Sequence, residues 1–237
     1  MKTPVIIAID GPAGSGKSSV AKALAQSLKY VYLDTGAMYR ALTYLAIKEG
    51  IPLEDEAALE TLARNNQISF TENDDGLQVI IGGLDVTNEI RSELVDAHVS
   101  QVSAHPKVRE LMVDQHRAIG KQHNLVAEGR DMATVVFPEA SLKVFLSADA
   151  KTRAKRRYLQ NVERLVLWQT YEGPSEEEIY KSIIERDAFD SSRENSPLKP
   201  APDSVLIDSS HLNEYQVLQY ILKLLEIQTQ GGILGKE

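Results

Sequence analysis

Val5-Ile-Ile-Ala-Ile-Asp10-Gly11-Pro12-Ala13-Gly14-Ser15-Gly16-Lys17-Ser18-Ser19 decides the architecture. Residues 5–9 are a short β-branched apolar run, the pattern of a strand buried on both faces. Gly11 to Ser18 match G-x-x-x-x-G-K-[ST] at every fixed position. Val20, Ala21, Leu24, Ala25 and Leu28 then recur on one face of a helix. Strand, glycine loop and helix are the context a phosphate-binding loop requires. Glycines let successive N–H groups turn inward on an anion, at the positive end of a helix. Lys17 reaches the β- and γ-phosphates, and the Ser18 hydroxyl suits Mg2+. Ser19 stands where a dinucleotide-binding loop needs its third glycine. A tight strand–helix turn with a chance lysine is the competing reading.

Outward from this loop, strand and helix patterns alternate. Strands are expected at 30–33, 125–127, 142–146 and 205–207, and helices at 37–49, 148–169 and 213–227, the last with Tyr215, Leu218, Ile221, Leu222 and Leu225 on its face. Alternation of this kind predicts an α/β fold, a mostly parallel sheet with helices on both faces. Between lies a block of different character. It has a helix at 59–65, short strands at 67–70 and 77–81 around Asn73-Asp-Asp-Gly76, and helices at 92–104 and 106–121. Ser175-x-x-Glu178 reads as a capping box opening another helix.

Composition bounds the chemistry. The 237 residues carry 26 Lys and Arg against 34 Asp and Glu, a net charge of −8, which disfavours a nucleic-acid binder. There is no cysteine, so thiolate metal sites and cysteine nucleophiles are excluded. The five histidines show no i, i+3 or i, i+4 pairing, so no metal site made of side chains alone is expected. No signal-peptide or membrane-spanning pattern is visible, and a cytoplasmic protein without an obligate protein partner is expected.

Further constellations are basic and lie at expected element ends. Asp34, Thr35 and Arg40 follow the second strand, where parallel strands line a ligand crevice; alternatively Thr35 caps a helix and Arg40 is solvated. Glu128-Gly-Arg130-Asp131 ends another strand and suits anion or base recognition, or is a surface turn. Arg153, Arg156 and Arg157 crowd one helix, where an anion would relieve their repulsion, or form a solvated face balanced by Glu163. Arg186 and Arg193 share a helical face with Asp190 between them. Trp168 reads as packing.

Together, the phosphate loop, Asp34-Thr-Gly-Ala-Met-Tyr-Arg40, Gly129-Arg-Asp-Met-Ala-Thr-Val-Val-Phe-Pro138, Arg153-x-x-Arg-Arg157, Arg186-Asp-x-x-Asp190-x-x-Arg193 and Pro197-Leu-x-Pro-Ala201 resemble the bacterial cytidylate (CMP) kinases, in that family's order and over nearly the whole chain. The resemblance implies a P-loop NTPase-type core over 1–64 and 104–230. It also implies a monophosphate-binding insertion at 65–103, a lid near 157–186 and a flexible tail at 231–237. It implies Mg2+-dependent transfer of a phosphoryl group from ATP to CMP or dCMP. Gly11 to Ser19 would bind ATP, with Ser18 on Mg2+. Lys17, Arg130, Arg153, Arg157 and Arg193 would be catalytic, Arg153 and Arg157 facing the ATP or the transferring group. Arg40, Arg130 and Arg193 would clamp the CMP phosphate. Thr35, Ser100, Arg109 and Asp131 would surround cytosine; Arg186 and Asp190 would meet the ribose. Thr35 replaces a usual Ser, Ala133 a usual Gly, and residues 161–174 are longer and more apolar than the pattern. Another small P-loop kinase, a GTPase-like switch and a non-catalytic nucleotide-binding module are the alternatives. The switch lacks its Asn-Lys-x-Asp motif.

Overall fold

A computed structural model describes residues 3–73, 76–163 and 172–230. In chain order come β1 (Ile6–Asp10), α1 (Lys17–Leu28), β2 (Val31–Asp34), α2 (Thr35–Lys48), α3 (Glu56–Asn65), β3 (Ile68–Asn73), β4 (Gly76–Ile81), β5 (Leu84–Asp85), α4 (Glu93–Val102), α5 (Pro106–Gly120), β6 (Leu125–Gly129), β7 (Leu142–Ser147), α6 (Ala150–Glu163), α7 (Glu176–Ser192), β8 (Val205–Asp208) and α8 (Glu214–Gln230). A single 3-10 turn at Glu89–Arg91 and a π-helical turn at Met132–Val136 interrupt the series. Sequence periodicity shows neither turn, because each is about one turn long and repeats no pattern.

The contacts divide the chain into two compact units, Met1–Leu33 with His123–Glu237, and Asp34–Gln122. The first is built on a sheet of order β2-β6-β1-β7-β8, with the β1–β6, β1–β7 and β7–β8 pairings parallel. All five residues of β6 are buried, and so are Ile7 to Asp10 of β1. Central strands of a covered parallel sheet must be apolar on both sides, which is why these runs do not alternate. On one face Val20, Ala21, Leu24 and Ala25 of α1 and Val217, Ile221 and Leu225 of α8 close over Ile7, Ile9, Val126, Val144 and Ile207. The α8 face differs from expectation at one position. Tyr215 is exposed and Val217 takes the buried place, because the buried stripe runs 217-221-225 at i, i+4 spacing.

α6 and α7 pack through Ala154, Ile179 and Ile183, with Ala150, Tyr158 and Tyr180 around them. The capping box holds: the Ser175 side chain accepts from the Glu178 amide and the Glu178 carboxylate accepts from the Ser175 amide. The expected lid, 157–186, takes in the end of α6 and much of α7; residues 164–171, with Trp168, lie outside the described residues, as do Asp74, Asp75 and the tail at 231–237.

The second unit pairs β3, β4 and β5 as an antiparallel sheet beside α2 to α5. It runs well beyond the 65–103 block that the family resemblance suggested as an insertion. β5, two residues long, carries no readable alternation.

Candidate active site

Close approaches shape the phosphate loop. A Cβ on Gly11 would lie 2.0 Å from the Leu146 carbonyl oxygen, so only glycine lets β1 turn beside β7. Gly14 has φ +76, and a Cβ there would come 3.1 Å from Arg153 Cβ. Gly16, φ 88, precedes α1 and provides no side-chain cap, so the first amides of that helix point into the loop. Lys17 is buried and its Nζ donates to the Pro12 carbonyl at 3.1 Å, folding the side chain back over the loop. Ser18 and Ser19 lie exposed at the start of α1, and the Ser18 hydroxyl donates to Glu128 Oε2 at 2.8 Å.

Glu128 is buried at the end of β6 and also accepts from the Tyr32 phenol, at 2.5 Å to Oε1. A hydroxyl beside a carboxylate is a hard-oxygen donor set. Mg2+ is bound by one or two such groups, with phosphate oxygens and water completing its shell. Ser18 and Glu128 therefore fit Mg2+. Among the described residues no three His, Asp or Glu side chains gather as a metal site.

Below the loop sits Asp10, 1 % exposed. Its two oxygens accept from the Met132 and Ala133 amides, each at 2.8 Å, and so pin the π-helical turn that follows Arg130 and Asp131. Burial pushes the Asp10 carboxyl up to about 6, against the lowering effect of the two amides. Asp131 is itself buried, and its carbonyl accepts from the Val135 and Val136 amides.

The arginines of this unit converge in two places. On α6, Arg153 is buried. Its Nε donates to the Ala148 carbonyl at 2.9 Å and its Nη1 to the Ala13 carbonyl at 3.1 Å, while Nη2 pairs with Asp187 at 2.6 Å. Arg156 reaches the loop after β8: Nη2 donates to the Ser209 carbonyl at 2.6 Å and Nη1 to the Ser209 hydroxyl at 3.1 Å. That hydroxyl in turn donates to the Ser15 carbonyl at 2.9 Å, so α6 braces the phosphate loop twice. Arg157 is half-buried on the same helix. A solvated arginine face on α6 is thereby overturned. The second cluster is on α7. Buried Asp190 accepts from Arg130 Nε at 3.1 Å and from Arg193 Nη2 at 2.5 Å, with Arg186 Nε 4.0 Å away. Glu128-Gly-Arg-Asp131 is therefore not a surface turn.

In the second unit Asp34, not Thr35, caps α2, accepting from the Ala37 amide at 2.8 Å. Thr35 is buried in the first turn. Burial alone would raise the Asp34 carboxyl. The Arg91 charge and its 2.8 Å hydrogen bond, helped by the Ala37 amide and Arg40, outweigh that and hold it below the carboxylate range. Arg40 is buried, not solvated, donating to the Ile90 carbonyl at 3.2 Å and pairing with Asp96. Arg109 Nη1 donates to the Ser103 carbonyl at 3.0 Å, its guanidinium lying 5.5 Å from the Tyr39 ring centre. Ser103 Oγ donates to the carbonyl of Ser100 on α4. His116, fully buried near Arg109, is held neutral down to about 3, first by burial and then by that charge.

Sequence reasoning left Asp10, Tyr32, Arg91, Asp96, Asp187 and Ser209 without roles, and Glu128 without a partner. An acid closing a β-branched run just before the glycine loop is a usable signal for Asp10. Nothing in the local sequence signals Ser209, whose partners are 53 and 194 residues distant.

Residues 7–227 match the family model described as cytidylate kinase. A protein named cytidylate kinase from Geobacillus sp. (strain WCH70) is 46% identical over 226 residues, covering 95% of this chain and 98% of the relative. Proteins of the same name from Geobacillus kaustophilus and Carboxydothermus hydrogenoformans are 45% and 44% identical, covering 95% and 93% of this chain and 98% and 96% of theirs.

Proposed function

The chain belongs to the cytidylate kinase family, a family of nucleoside monophosphate kinases that use ATP, and on that premise we propose that it transfers the γ-phosphoryl group of ATP to CMP or dCMP, with Mg2+, as a cytoplasmic enzyme. The observation that carries this reading is the pairing, within one unit, of a complete phosphate loop with two arginines held on one buried acid.

The acceptor oxygen belongs to a phosphate already anionic near neutral pH, so no general base is needed. The obstacle is bringing two polyanions together. Phosphoryl transfer is accelerated by positioning and by charge placed on the transferring group. The loop amides and Lys17 hold the donor phosphates. Arg130 and Arg193 grip the acceptor phosphate through their forks, and Asp190 sets the forks' direction. Arg40 is assigned to the same phosphate. Arg186 and Asp190 are assigned to the ribose, and Thr35, Ser100, Arg109 and Asp131 to cytosine. Arg157 is assigned to the transferring group, and Arg153 acts there through the loop carbonyl that it holds. Ser18 and Glu128 would hold Mg2+, which when bound would offset phosphate negative charge. Asp131 is an acceptor for the cytosine amino group. UMP presents a carbonyl oxygen at that position, so this hydrogen bond would be lost, which costs about 1–3 kcal/mol.

The test offers ATP and Mg2+ with CMP, dCMP, UMP, AMP or GMP and follows ADP release. Turnover with CMP and dCMP, and little with the others, is expected. Arg130→Ala should raise KM for every monophosphate, and Asp131→Asn should lower the CMP-to-UMP ratio of kcat/KM by about 5- to 150-fold. Turnover confined to another monophosphate would overturn the acceptor assignment.

A further inference from the structure

α7 carries two acids three residues apart, and they serve different masters. Asp190 holds Arg130 and Arg193. Asp187 holds Arg153, 2.6 Å away on α6. Arg153 is committed on its other nitrogens to main-chain carbonyls, one of them Ala13 in the phosphate loop. The helix backbone at Arg153 also lies against the loop, since a Cβ on Gly14 would meet the Arg153 carbonyl oxygen at 3.1 Å. The second oxygen of Asp187, Oδ1, is buried with no hydrogen-bond partner among the described residues, so the pairing with Arg153 is what offsets the burial of this carboxylate. A continuous line of contacts therefore runs from Ala13 through Arg153 and Asp187 to the helix that bears Asp190.

We propose that Asp187 is a positioning residue that couples the phosphate loop, through Arg153, to the arginines held by Asp190. The inference rests on the assignment of those arginines to the monophosphate. The physical reason is the rigidity of the parts. A guanidinium presents its donors in one plane, so a displaced Ala13 carbonyl turns the edge that faces Asp187. Asp187 and Asp190 are on consecutive turns of one helix and move together. When donor phosphates fill the loop and shift that carbonyl, Asp190 and its two forks move toward or away from their gripping position. Such coupling is reciprocal: what the donor nucleotide does to CMP affinity, CMP does to donor affinity.

Calorimetric titration of the full chain with CMP, with and without saturating β,γ-methylene-ATP and Mg2+, tests this. In the wild type the analogue should tighten CMP binding by about five- to tenfold. In Asp187→Asn the factor should fall to within about twofold of unity, and Asp187→Glu should restore part of it. Arg153→Lys, which keeps the charge and loses the fork, should lose the coupling as Asp187→Asn does, and it serves if that variant fails to fold. Asp187→Asn or Arg153→Lys with the full wild-type factor overturns the inference while leaving the CMP assignment intact, as does a wild type that phosphorylates CMP without any coupling. A wild type that neither binds nor phosphorylates CMP overturns the acceptor assignment, and the inference falls with it.

Discussion

Asp190 serves two arginines with a third close by, whereas in the unit Asp34–Gln122 Arg91 and Arg40 are each given a different acid, Asp34 and Asp96. The first arrangement shares one buried carboxylate among guanidiniums from the end of β6 and from α7. The second gives Arg91 and Arg40 different nearest carboxylates, with Arg40 also acting through space on Asp34. Sharing makes a single residue responsible for the aim of several forks. Separate acids divide that aim between two residues.

That contrast orders the experiments. The largest effect is expected for Asp190→Ala. It removes the anion from buried and half-buried cations, and breaking a buried pair in this way costs about 3–5 kcal/mol. Chemical denaturation should show that loss, and KM for CMP should rise with it. A loss no larger than that of a separately held pair would break the distinction.

Acid sensitivity gives the second effect and sets the two units against each other. His116 stays neutral in the folded chain down to about 3. An unfolded histidine takes up its proton near 6.5. The unfolded state therefore binds more protons below 6.5, and stability falls as pH falls through that window, by about 2 kcal/mol at pH 5. Asp10 has the opposite sign. Its carboxyl is raised from 3.8 to about 6, so its contribution is fully present below 3.8 and is lost as pH rises through 6. The stability difference between the wild type and His116→Leu, measured at pH 7.5 and pH 5, isolates the histidine. A difference that does not change between these pH values would sink this account.

The smallest effect is expected for Arg64→Ala on α3, in the unit Asp34–Gln122. Its guanidinium is 60 % exposed beside Glu60, and loss of such a pair costs about 1 kcal/mol or less. The melting temperature should shift by only a few degrees, against a much larger shift for Asp190→Ala.

Much of the scaffold was legible in the residues. The β-branched run before Gly11, the stripe Val20-Ala21-Leu24-Ala25 and the capping box at Ser175 are local patterns, and local patterns specify local structure. The alternative reading of Thr35 as the cap of α2 misses by one residue: Asp34 and Thr35 are both good caps, and backbone geometry chose the carboxylate. Tyr215 and Val217 on α8 were exchanged for a similar reason, since periodicity defines a stripe but not its edges.

The site divides along the same line. The sequence alone determined the phosphate loop, because every group proposed to hold phosphate there comes from consecutive residues, and its glycines permit the backbone path. It also placed Arg130 at the end of a strand, whereas Arg40, Arg157 and Arg186 lie within helices. Helical spacing already set Arg186 and Arg193 beside Asp190, but the long-range partners were decided only by the tertiary structure. Asp190 meets Arg130 across 60 residues, and Arg153 donates to the Ala13 carbonyl across 140. A long-range polar contact needs only proximity and carries no pattern along the chain, so it exists only once strands and helices have packed.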